Sequence, residues 1–193
     1  MHSLAPRSGL DHLTSAAGLG NGSAFSMVLR EGLALANVLV RKQHEDEFYR
    51  RVRSIYGLDL TGDARRVGNG AISFACAGPG HWLAMMEGTR GHTFEAQLRN
   101  ELAGVAYVGD QSDGRTVIRV SGSRARDVLA NGAPIDLHPR AFAVSDSAVT
   151  VISHIGVHLW QVDESPTYEL AVFRSYSAAF WRWLLQASAE FRA

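Results

Sequence analysis

Three glycines near the start of the chain have a spacing that invites comparison with a cofactor site. Gly18, Gly20 and Gly22 stand at alternate positions, whereas a dinucleotide-binding turn needs G-x-G-x-x-G between a strand and a helix. No strand pattern precedes these glycines, and no helix with a third glycine follows them. The sequence therefore predicts a flexible segment here and no standard site for a dinucleotide. A Walker A motif for ATP is also absent from the sequence.

Two histidines have a spacing that metal sites use on helices. His154 and His158 stand at i and i+4, which brings two imidazoles together on one helical face. Gly156 lies between them in a predicted β-hairpin, so the pair would straddle a turn and we expect no metal site. Cys76 is the only cysteine and lies in an apolar run, which excludes an internal disulfide and favours a buried thiol.

The candidate nucleophiles and carboxylates have structural explanations. Serine hydrolases hold the nucleophile in a G-x-S-x-G turn, and the nearest string, Val-Ser-Gly-Ser at 120–123, is typical of a strand end followed by a helix cap. Four aspartates occupy predicted turns, where their side chains hydrogen-bond the backbone, namely Asp110, Asp113, Asp136 and Asp146. The sequence nominates no catalytic residue.

Overall charge and composition limit the partners. The 193 residues include 19 basic and 19 acidic side chains, and 46% of the residues are hydrophobic. A balanced charge gives no long-range field for nucleic acid or an anionic membrane, so we expect neither as a partner. No apolar run reaches the about 18 residues of a membrane span, and the first residues show no signal-peptide core. We therefore expect a folded cytoplasmic protein.

The first half of the chain has the pattern β-α-β-β-α-β. A segment rich in Gly, Ala and Ser precedes it, and we expect residues 1–25 to form a flexible N-terminal arm. The predicted elements are a strand at 32–40, a helix from the acids at 45–47 to Gly57 as C-cap, strands at 71–76 and 81–86 joined through Gly78, Pro79 and Gly80, a helix at 93–102 and a strand at 105–108.

The second half repeats a similar order. Its predicted elements are a strand at 116–120, a helix capped by Ser123 and ending at Gly132, a loop at 134–144, strands at 149–153 and 157–162 turning at Gly156, a strand at 168–173 and a terminal helix capped by Ser175. We therefore predict an α+β fold of duplicated β-α-β-β-α-β units. It forms a single domain over 26–193, with halves at 26–109 and 110–193.

Aromatic residues of the terminal helix indicate a protein partner. Trp181 and Trp183 fall on different sides of the predicted helix, so one of them faces away from the core. An exposed aromatic side chain on a helix is a candidate anchor for an interface.

Several strings over residues 105–191 resemble one family. They are Asp-Gln-Ser at 110–112, Arg-Val-Ser-Gly at 119–122, Asp-Leu-His-Pro-Arg-Ala-Phe at 136–142, Arg-Ser-Tyr at 174–176 and Trp-Leu-Leu at 183–185. The string at 136–142 is the most specific. Together they resemble the gamma subunit of heterotetrameric sarcosine oxidase, a family similar to the folate-binding domain of glycine-cleavage aminomethyltransferase. The first hundred residues match only in element order and in Gly78, Pro79 and Gly80.

The resemblance implies a non-catalytic subunit of an oxidoreductase. The whole enzyme would demethylate sarcosine oxidatively to glycine, hydrogen peroxide and formaldehyde or 5,10-methylenetetrahydrofolate. This chain would hold no cofactor or metal. FAD, FMN, NAD and tetrahydrofolate would belong to the alpha and beta subunits, and zinc to the delta subunit. The chain would contact the alpha subunit directly and share the complex with the beta and delta subunits.

The candidate interface residues come from the matching strings and from the terminal helix. They are Asp136, His138, Pro139, Arg140, Arg174, Tyr176 and Trp181. A proline that fixes the backbone, beside His138 and Arg140, makes residues 136–142 a candidate contact with the alpha subunit. The alternative is a loop that packs on its own protein, in which Asp136 pairs with Arg140 or caps a turn.

Two other functions stay open from the sequence. The partner subunits could oxidise another N-methyl amino acid or secondary amine, as an oxidase or a dehydrogenase. The chain could instead be a stand-alone folate-binding one-carbon protein, which would need an apolar slot with a carboxylate for the pterin ring.

Overall fold

The computed structural model of the chain describes Leu10 and residues 24–191. The helices of these residues are α1 (Glu45–Tyr56), α2 (Gly91–Glu101), α3 (Ala125–Ala130), α4 (Arg174–Ala187) and a 3-10 turn (Ala189–Phe191). The strands are β1 (Ser26–Leu29), β2 (Leu33–Val40), β3 (Arg66–Gly68), β4 (Ile72–Gly78), β5 (His81–Glu87), β6 (Ala106–Asp110), β7 (Arg115–Ser121), β8 (Ser147–Ile152), β9 (Ile155–Asp163) and β10 (Thr167–Phe173).

The strands form two antiparallel sheets with the same topology. The first sheet has the order β3-β4-β5-β2-β6 and the second has the order β8-β9-β10-β7-β1. Strand by strand, β2 corresponds to β7, β3 to β8, β4 to β9 and β5 to β10, and the paired strands are antiparallel in both sheets. The predicted α+β fold of two similar units is confirmed.

The second unit is not contiguous in the chain. In chain order the first unit runs β-α-β-β-β-α-β, since it contains the short strand β3 that the sequence missed, and the second unit runs β-α-β-β-β-α. Both units therefore have three strands between their helices, where the predicted order β-α-β-β-α-β has two, and the second unit has no final strand of its own. The sequence placed residues 26–29 in the first half and predicted no strand there, whereas the structure forms β1 (Ser26–Leu29), which pairs with β7 and fills the place that β6 fills in the first sheet. This pairing places Met27 in the core of the second unit.

Four layers result from the alternation of side chains along the strands. Ala34, Ala36 and Val38 of β2 face helices α1 and α2, whereas Leu35 faces the opposite sheet. A thin apolar layer between the two sheets contains Leu35, Ala75, Leu83, Met85, Val117, Trp160 and Ala171. Helices α3 and α4 cover the outer face of the second sheet, so the order of layers is α/β/β/α.

Helix α1 forms where the sequence predicts it. Acidic residues occupy its first turn, and Gly57 ends it with φ +69° and an N–H that donates to the Arg53 carbonyl. The predicted caps of the second unit are wrong. Arg124 is the N-cap of α3, because the chain reverses direction at Gly122 just before this helix. Phe173 is the N-cap of α4, because α4 follows β10 without a loop.

The turn of the β8–β9 hairpin lies at Ser153 and His154, so the prediction that it lies at Gly156 is wrong. Both residues have positive φ, +47° and +69°, which is typical of a type I′ turn. Gly156 is part of β9 and pairs with Val151. This register directs Ile152 into the core of the second unit.

The predicted arm at 1–25 falls largely outside the described residues, which omit 1–9 and 11–23. Leu10 and Phe25 are described, and both are buried in the core of the second unit. Phe25 therefore belongs to the folded core and not to an arm.

Candidate subunit-binding surface

Residues 136–142 form a loop that is organised by its own hydrogen bonds. The N–H of His138 donates to Asp136 Oδ1 at 2.8 Å, and the N–H of Arg140 donates to His138 Nδ1 at 3.2 Å. Leu137 and Phe142 are buried, and the Phe142 ring packs against Tyr168 with centroids 6.4 Å apart. Asp136 thus caps a turn, as one of the sequence alternatives stated. The same turn leaves Asp136, His138, Pro139 and Arg140 exposed.

Arg174 and Tyr176 are exposed at the start of α4. Arg174 Nη1 lies 3.8 Å from Asp113 Oδ1, a carboxylate in open solvent, so this ion pair contributes little to stability. The neighbouring Phe173 side chain is 47% exposed and that of Tyr176 is 53% exposed. This end of α4 thus presents two accessible aromatic rings beside a guanidinium.

The expectation that Trp181 is an exposed interface anchor is wrong. Its side chain is fully buried, because it shares the inward face of α4 with Ser177, Phe180 and Leu184. Trp183 is the partly exposed tryptophan, and its ring stacks on Phe180 with centroids 5.6 Å apart.

The remaining predicted residues fall into two separate patches. Phe142, in the 136–142 loop, touches Tyr168 near the start of β10, whereas Arg174 follows directly after the end of that strand. The five residue-to-residue steps from Tyr168 to Phe173 span about 17 Å. The structure therefore does not bring Arg140 and Arg174 into one site.

An exposed apolar groove, which the sequence did not reveal, lies at the open end of the two sheets. It has a volume of about 410 Å³ and is lined by residues that include Asn37, Leu39, His81, Tyr107 and Arg115. The side chains of Leu39 and Tyr107 are cross-strand partners on β2 and β6 and are 41% and 59% exposed. Their pairing was hidden because no local pattern joins positions so far apart.

Arginines lie over the aromatic rings at this end of the molecule. Arg115 lies 4.6 Å from the centroid of the Phe173 ring, and Arg41 lies 5.1 Å from that of Tyr107. Burial lowers the pKa of Arg115, and its Nε has no hydrogen-bond partner among the described residues. Arg115 therefore connects the groove to the Phe173 and Tyr176 patch.

His158 is buried, and its imidazole hydrogen-bonds to groups inside the protein. Its Nε2 lies 2.8 Å from Ser147 Oγ and 3.0 Å from the Cys76 carbonyl oxygen, and the Ser147 hydroxyl also donates to that carbonyl. Burial lowers the pKa of His158 to about 4, so its ring is neutral near pH 7. His154 is exposed in the turn, so the two histidines lie in different environments.

The described residues contain neither a metal-ligand set nor a helix that could span a membrane. No three His, Cys, Asp or Glu side chains among residues 24–191 and Leu10 are grouped as metal ligands. In the same residues, no helix has the length and apolarity needed to cross a membrane.

The fold defines a class of α/β/β/α proteins that includes two solved structures. A chain of the heterotetrameric sarcosine oxidase from Corynebacterium sp. U-96, in complex with pyrrole 2-carboxylate, superposes with a TM-score of 0.85, at 23% identity and over 97% of both chains. The glycine cleavage system aminomethyltransferase T from Bartonella henselae matches with a TM-score of 0.62, at 12% identity, over 86% of this chain and 46% of that one. These likenesses establish the fold.

Sequence comparison then identifies the family. The model of the "Sarcosine oxidase, gamma subunit family" matches residues 41–190. The sarcosine oxidase subunit gamma of Arthrobacter sp is 32% identical over 96% of this chain and 91% of its own length. That of Corynebacterium sp. (strain P-1) is also 32% identical, with the same coverage. The chain belongs to the sarcosine oxidase gamma subunit family, which confirms the resemblance seen in the sequence.

Proposed function

We propose that this chain is the non-catalytic gamma subunit of a heterotetrameric sarcosine oxidase. The identity of 32% over 96% of the chain with the Arthrobacter subunit carries this proposal. The buried polar side chains support it, because His158 and Glu169 are engaged in hydrogen bonds inside the protein. The role of the chain is then to support partner subunits.

Under this proposal the complex demethylates sarcosine oxidatively. The products are glycine, hydrogen peroxide and either formaldehyde or 5,10-methylenetetrahydrofolate. FAD, FMN, NAD and tetrahydrofolate belong to the alpha and beta subunits, and zinc to the delta subunit. We place the complex in the cytoplasm.

The alpha subunit is the partner that we propose for the exposed aromatic surface. Tyr107, Phe173 and Tyr176 are accessible, and aromatic and arginine side chains supply most of the binding energy at protein interfaces. Arg41 and Arg115 already lie over two of the rings, which reduces the conformational entropy lost when a partner binds.

The loop at 136–142 is a second proposed contact. Hydrogen bonds to Asp136 and His138 hold its backbone, and burial of Leu137 and Phe142 anchors both ends. The exposed His138, Pro139 and Arg140 therefore occupy fixed positions before a partner arrives.

Co-purification tests the proposed function. The tagged chain is expressed in its native host and isolated at moderate salt, and the eluate is analysed for accompanying chains and flavin absorbance. Large flavin-bearing chains should accompany it, and sarcosine should reduce their flavin. A stable chain that elutes alone would overturn the subunit assignment. If the flavin chains co-purify but only another secondary amine reduces them, the subunit role holds and the substrate is different.

A further inference from the structure

Five charged side chains meet where one edge of the first sheet lies against the second sheet. Arg30 follows β1, Arg66 lies on β3, Glu87 on β5, Arg119 on β7 and Glu169 on β10. We call these five residues the charged cluster. It contains three guanidinium groups and two carboxylates, so one positive charge is in excess.

Both carboxylate oxygens of Glu169 are already engaged. Arg119 donates to Oε1 from Nε at 3.0 Å and from Nη2 at 2.6 Å, and the Trp160 indole donates to Oε2 at 2.9 Å. Arg30 Nε also lies 3.0 Å from Oε1, as an ion pair whose direction is too poor for a hydrogen bond. The Glu169 side chain is only 4% exposed, so it has no free acceptor facing water.

The Glu87 carboxylate is held by the other end of Arg30. The Nη2 of Arg30 donates to Glu87 Oε1, so one guanidinium bridges the two carboxylates. Arg30 and Arg119 therefore neutralise Glu87 and Glu169.

Arg66 is the one guanidinium of the charged cluster that forms no ion pair with Glu87 or Glu169. Its Nε is buried and has no hydrogen-bond partner among the described residues, and no carboxylate in that part of the chain lies within ion-pair distance of it. Burial lowers the pKa of Arg66; the nearby Glu169 charge opposes this shift, whereas the Arg119 and Arg30 charges reinforce it. Arginine stays protonated nonetheless, so the partly exposed Arg66 side chain carries a positive charge that no carboxylate among the described residues pairs with directly.

A small cavity opens beside Arg66. Its volume is about 40 Å³, which is room for about three water-sized groups. Arg30, Arg66, Ser73, Glu87 and Glu169 contribute its polar wall, and the rest includes Leu33, Ile72 and Met85. The Ser73 side chain is buried, and its hydroxyl can donate a hydrogen bond. The cavity is too small for a folate or a nucleotide.

We propose that this cavity binds a small monovalent anion, a halide or a carboxylate group, which pairs with Arg66 and neutralises the charged cluster. Arg66 supplies the charge, and Ser73 supplies a neutral donor. Leu33, Ile72 and Met85 line part of the wall, and an ion pair beside apolar side chains is stronger than one in open water. The small volume and the flanking Glu87 and Glu169 carboxylates disfavour a divalent anion. The anion has two possible sources: dissolved salt, or a side-chain carboxylate of a partner subunit.

The chloride NMR line width of the full chain, at constant ionic strength, tests the proposal. Wild-type protein should broaden the chloride signal, and formate should reverse the broadening because it competes for the cavity. Arg66→Met should abolish the broadening that formate reverses. The matched control is Arg50→Met, which removes an exposed arginine of α1 that is paired only with Glu47; it should keep the effect. Equal line widths for the wild type and both variants would overturn the proposal.

A second variant keeps the test valid if Arg66→Met fails to fold. Ser73→Ala keeps all five charges and removes only the neutral donor, so it should weaken chloride binding by about tenfold. An unchanged chloride affinity in Ser73→Ala, measured on protein with the wild-type melting temperature, would contradict the predicted position of the anion.

The same measurement on the assembled complex distinguishes the two sources. If the anion comes from dissolved salt, the broadening that formate reverses persists after assembly. If a partner carboxylate occupies the cavity, assembly removes the broadening, and Arg66→Met weakens assembly at least tenfold. Failure of the proposed subunit role would leave the first experiment unaffected, because that experiment uses this chain alone.

Discussion

Glu169 on β10 and Arg119 on β7 are directly opposed cross-strand partners in the second sheet, and their side chains form two hydrogen bonds on the face that looks toward the first sheet. Trp160 opposes Glu169 on its other side, so a guanidinium, a carboxylate and an indole follow one another across three strands. An ionic contact therefore lies inside an otherwise apolar layer.

Glu169→Gln should destabilise the protein by about 3 kcal/mol or more. The substitution removes the buried negative charge that the partly exposed Arg119 and Arg30 share, and breaking an ion pair whose carboxylate is buried is costly. Urea unfolding at pH 7 measures the change. Glu164→Gln is the matched control, because Glu164 is exposed in the turn before β10 and its replacement should change stability by less than about 0.5 kcal/mol. Equal losses in both variants would contradict the ionic role of Glu169.

The buried His158 should make stability depend on pH between about 6.5 and 4. Its pKa in the folded state is lowered to about 4 from 6.5, so the unfolded state binds the proton more tightly. The stabilisation from the neutral ring is complete above pH 6.5 and is lost as the pH falls through 4. The wild type should lose up to about 1.4 kcal/mol per pH unit within this window, as measured by urea unfolding in a series of buffers.

Two histidine variants isolate this effect. His158→Gln should be less stable at pH 7 and should show a shallower dependence on pH, because the buried titrating group is gone. His154→Asn changes an exposed histidine and keeps a residue type that tolerates its positive φ, so the wild-type pH dependence should persist. A steep dependence that remains in His158→Gln would assign the effect to other groups.

Gly122→Ala should destabilise the protein by about 2 kcal/mol or more and loosen β1. Gly122 has φ +111°, and a Cβ there would lie 2.6 Å from the Ala24 carbonyl oxygen. Hydrogen exchange of the amides of Val28 and Arg30, which face β7, should accelerate more than that of β4. Gly156→Ala is the control, because its added methyl group meets open space and its φ is ordinary. Unchanged exchange in β1 would show that the strand does not depend on this close approach.

Tyr107→Ser and Phe173→Ser should each weaken assembly with the alpha subunit by at least tenfold if the exposed aromatic surface is the contact. Both rings are accessible, so their removal should change the melting temperature of the isolated chain little. Pull-down of the flavin-bearing chains against increasing salt measures assembly. Ile55→Ser on α1 is the matched control, since it removes an equally exposed apolar side chain on another face of the molecule. Undiminished assembly in both aromatic variants would exclude this surface.

Arg140→Ala tests the loop contact separately. The Arg140 backbone N–H holds the turn through His138, whereas its side chain is exposed, so the substitution should leave the loop folded. Slower association and a weaker salt dependence of assembly are the expected results, because an exposed charge steers encounters more than it strengthens the final complex. Assembly rates equal to the wild type would leave the loop as a self-packed turn.

Elements that depend on residues close together in the sequence were predicted correctly, whereas those that depend on contacts between distant residues were not. Helix α1 was predictable, because its acids, arginines and Gly57 are all local signals. The pairing of β1 with β7 was not, because Ser26 and Ser121 are 95 positions apart and no repeat in the sequence connects them. Likewise the I′ turn at Ser153 and His154 uses two non-glycine residues with positive φ, which a search for glycine overlooks.

The candidate surface shows the same limit. Exposure of His138 and Arg140 follows from a polar loop with a proline, and the sequence predicted it as a possibility. Helical periodicity alone could not decide between Trp181 and Trp183, because both faces of α4 carry aromatic residues. Leu39 lies on the same face of β2 as the buried Leu35, where the strand pattern alone predicts a core residue. It is exposed because the opposite sheet does not extend over it, which only the tertiary structure reveals.

Arg124 contacts residues at both ends of the described segment 24–191. Its backbone N–H donates to the Ala24 carbonyl at 2.8 Å, and its guanidinium lies 5.4 Å from the centre of the Phe191 ring. The chain could therefore be circularly permuted, with β1 following the terminal helix and a new start before β2. Each unit would then be contiguous in the chain. The natural order instead ties the two units together, since the second sheet cannot be completed until the segment that precedes the first one has crossed over to it.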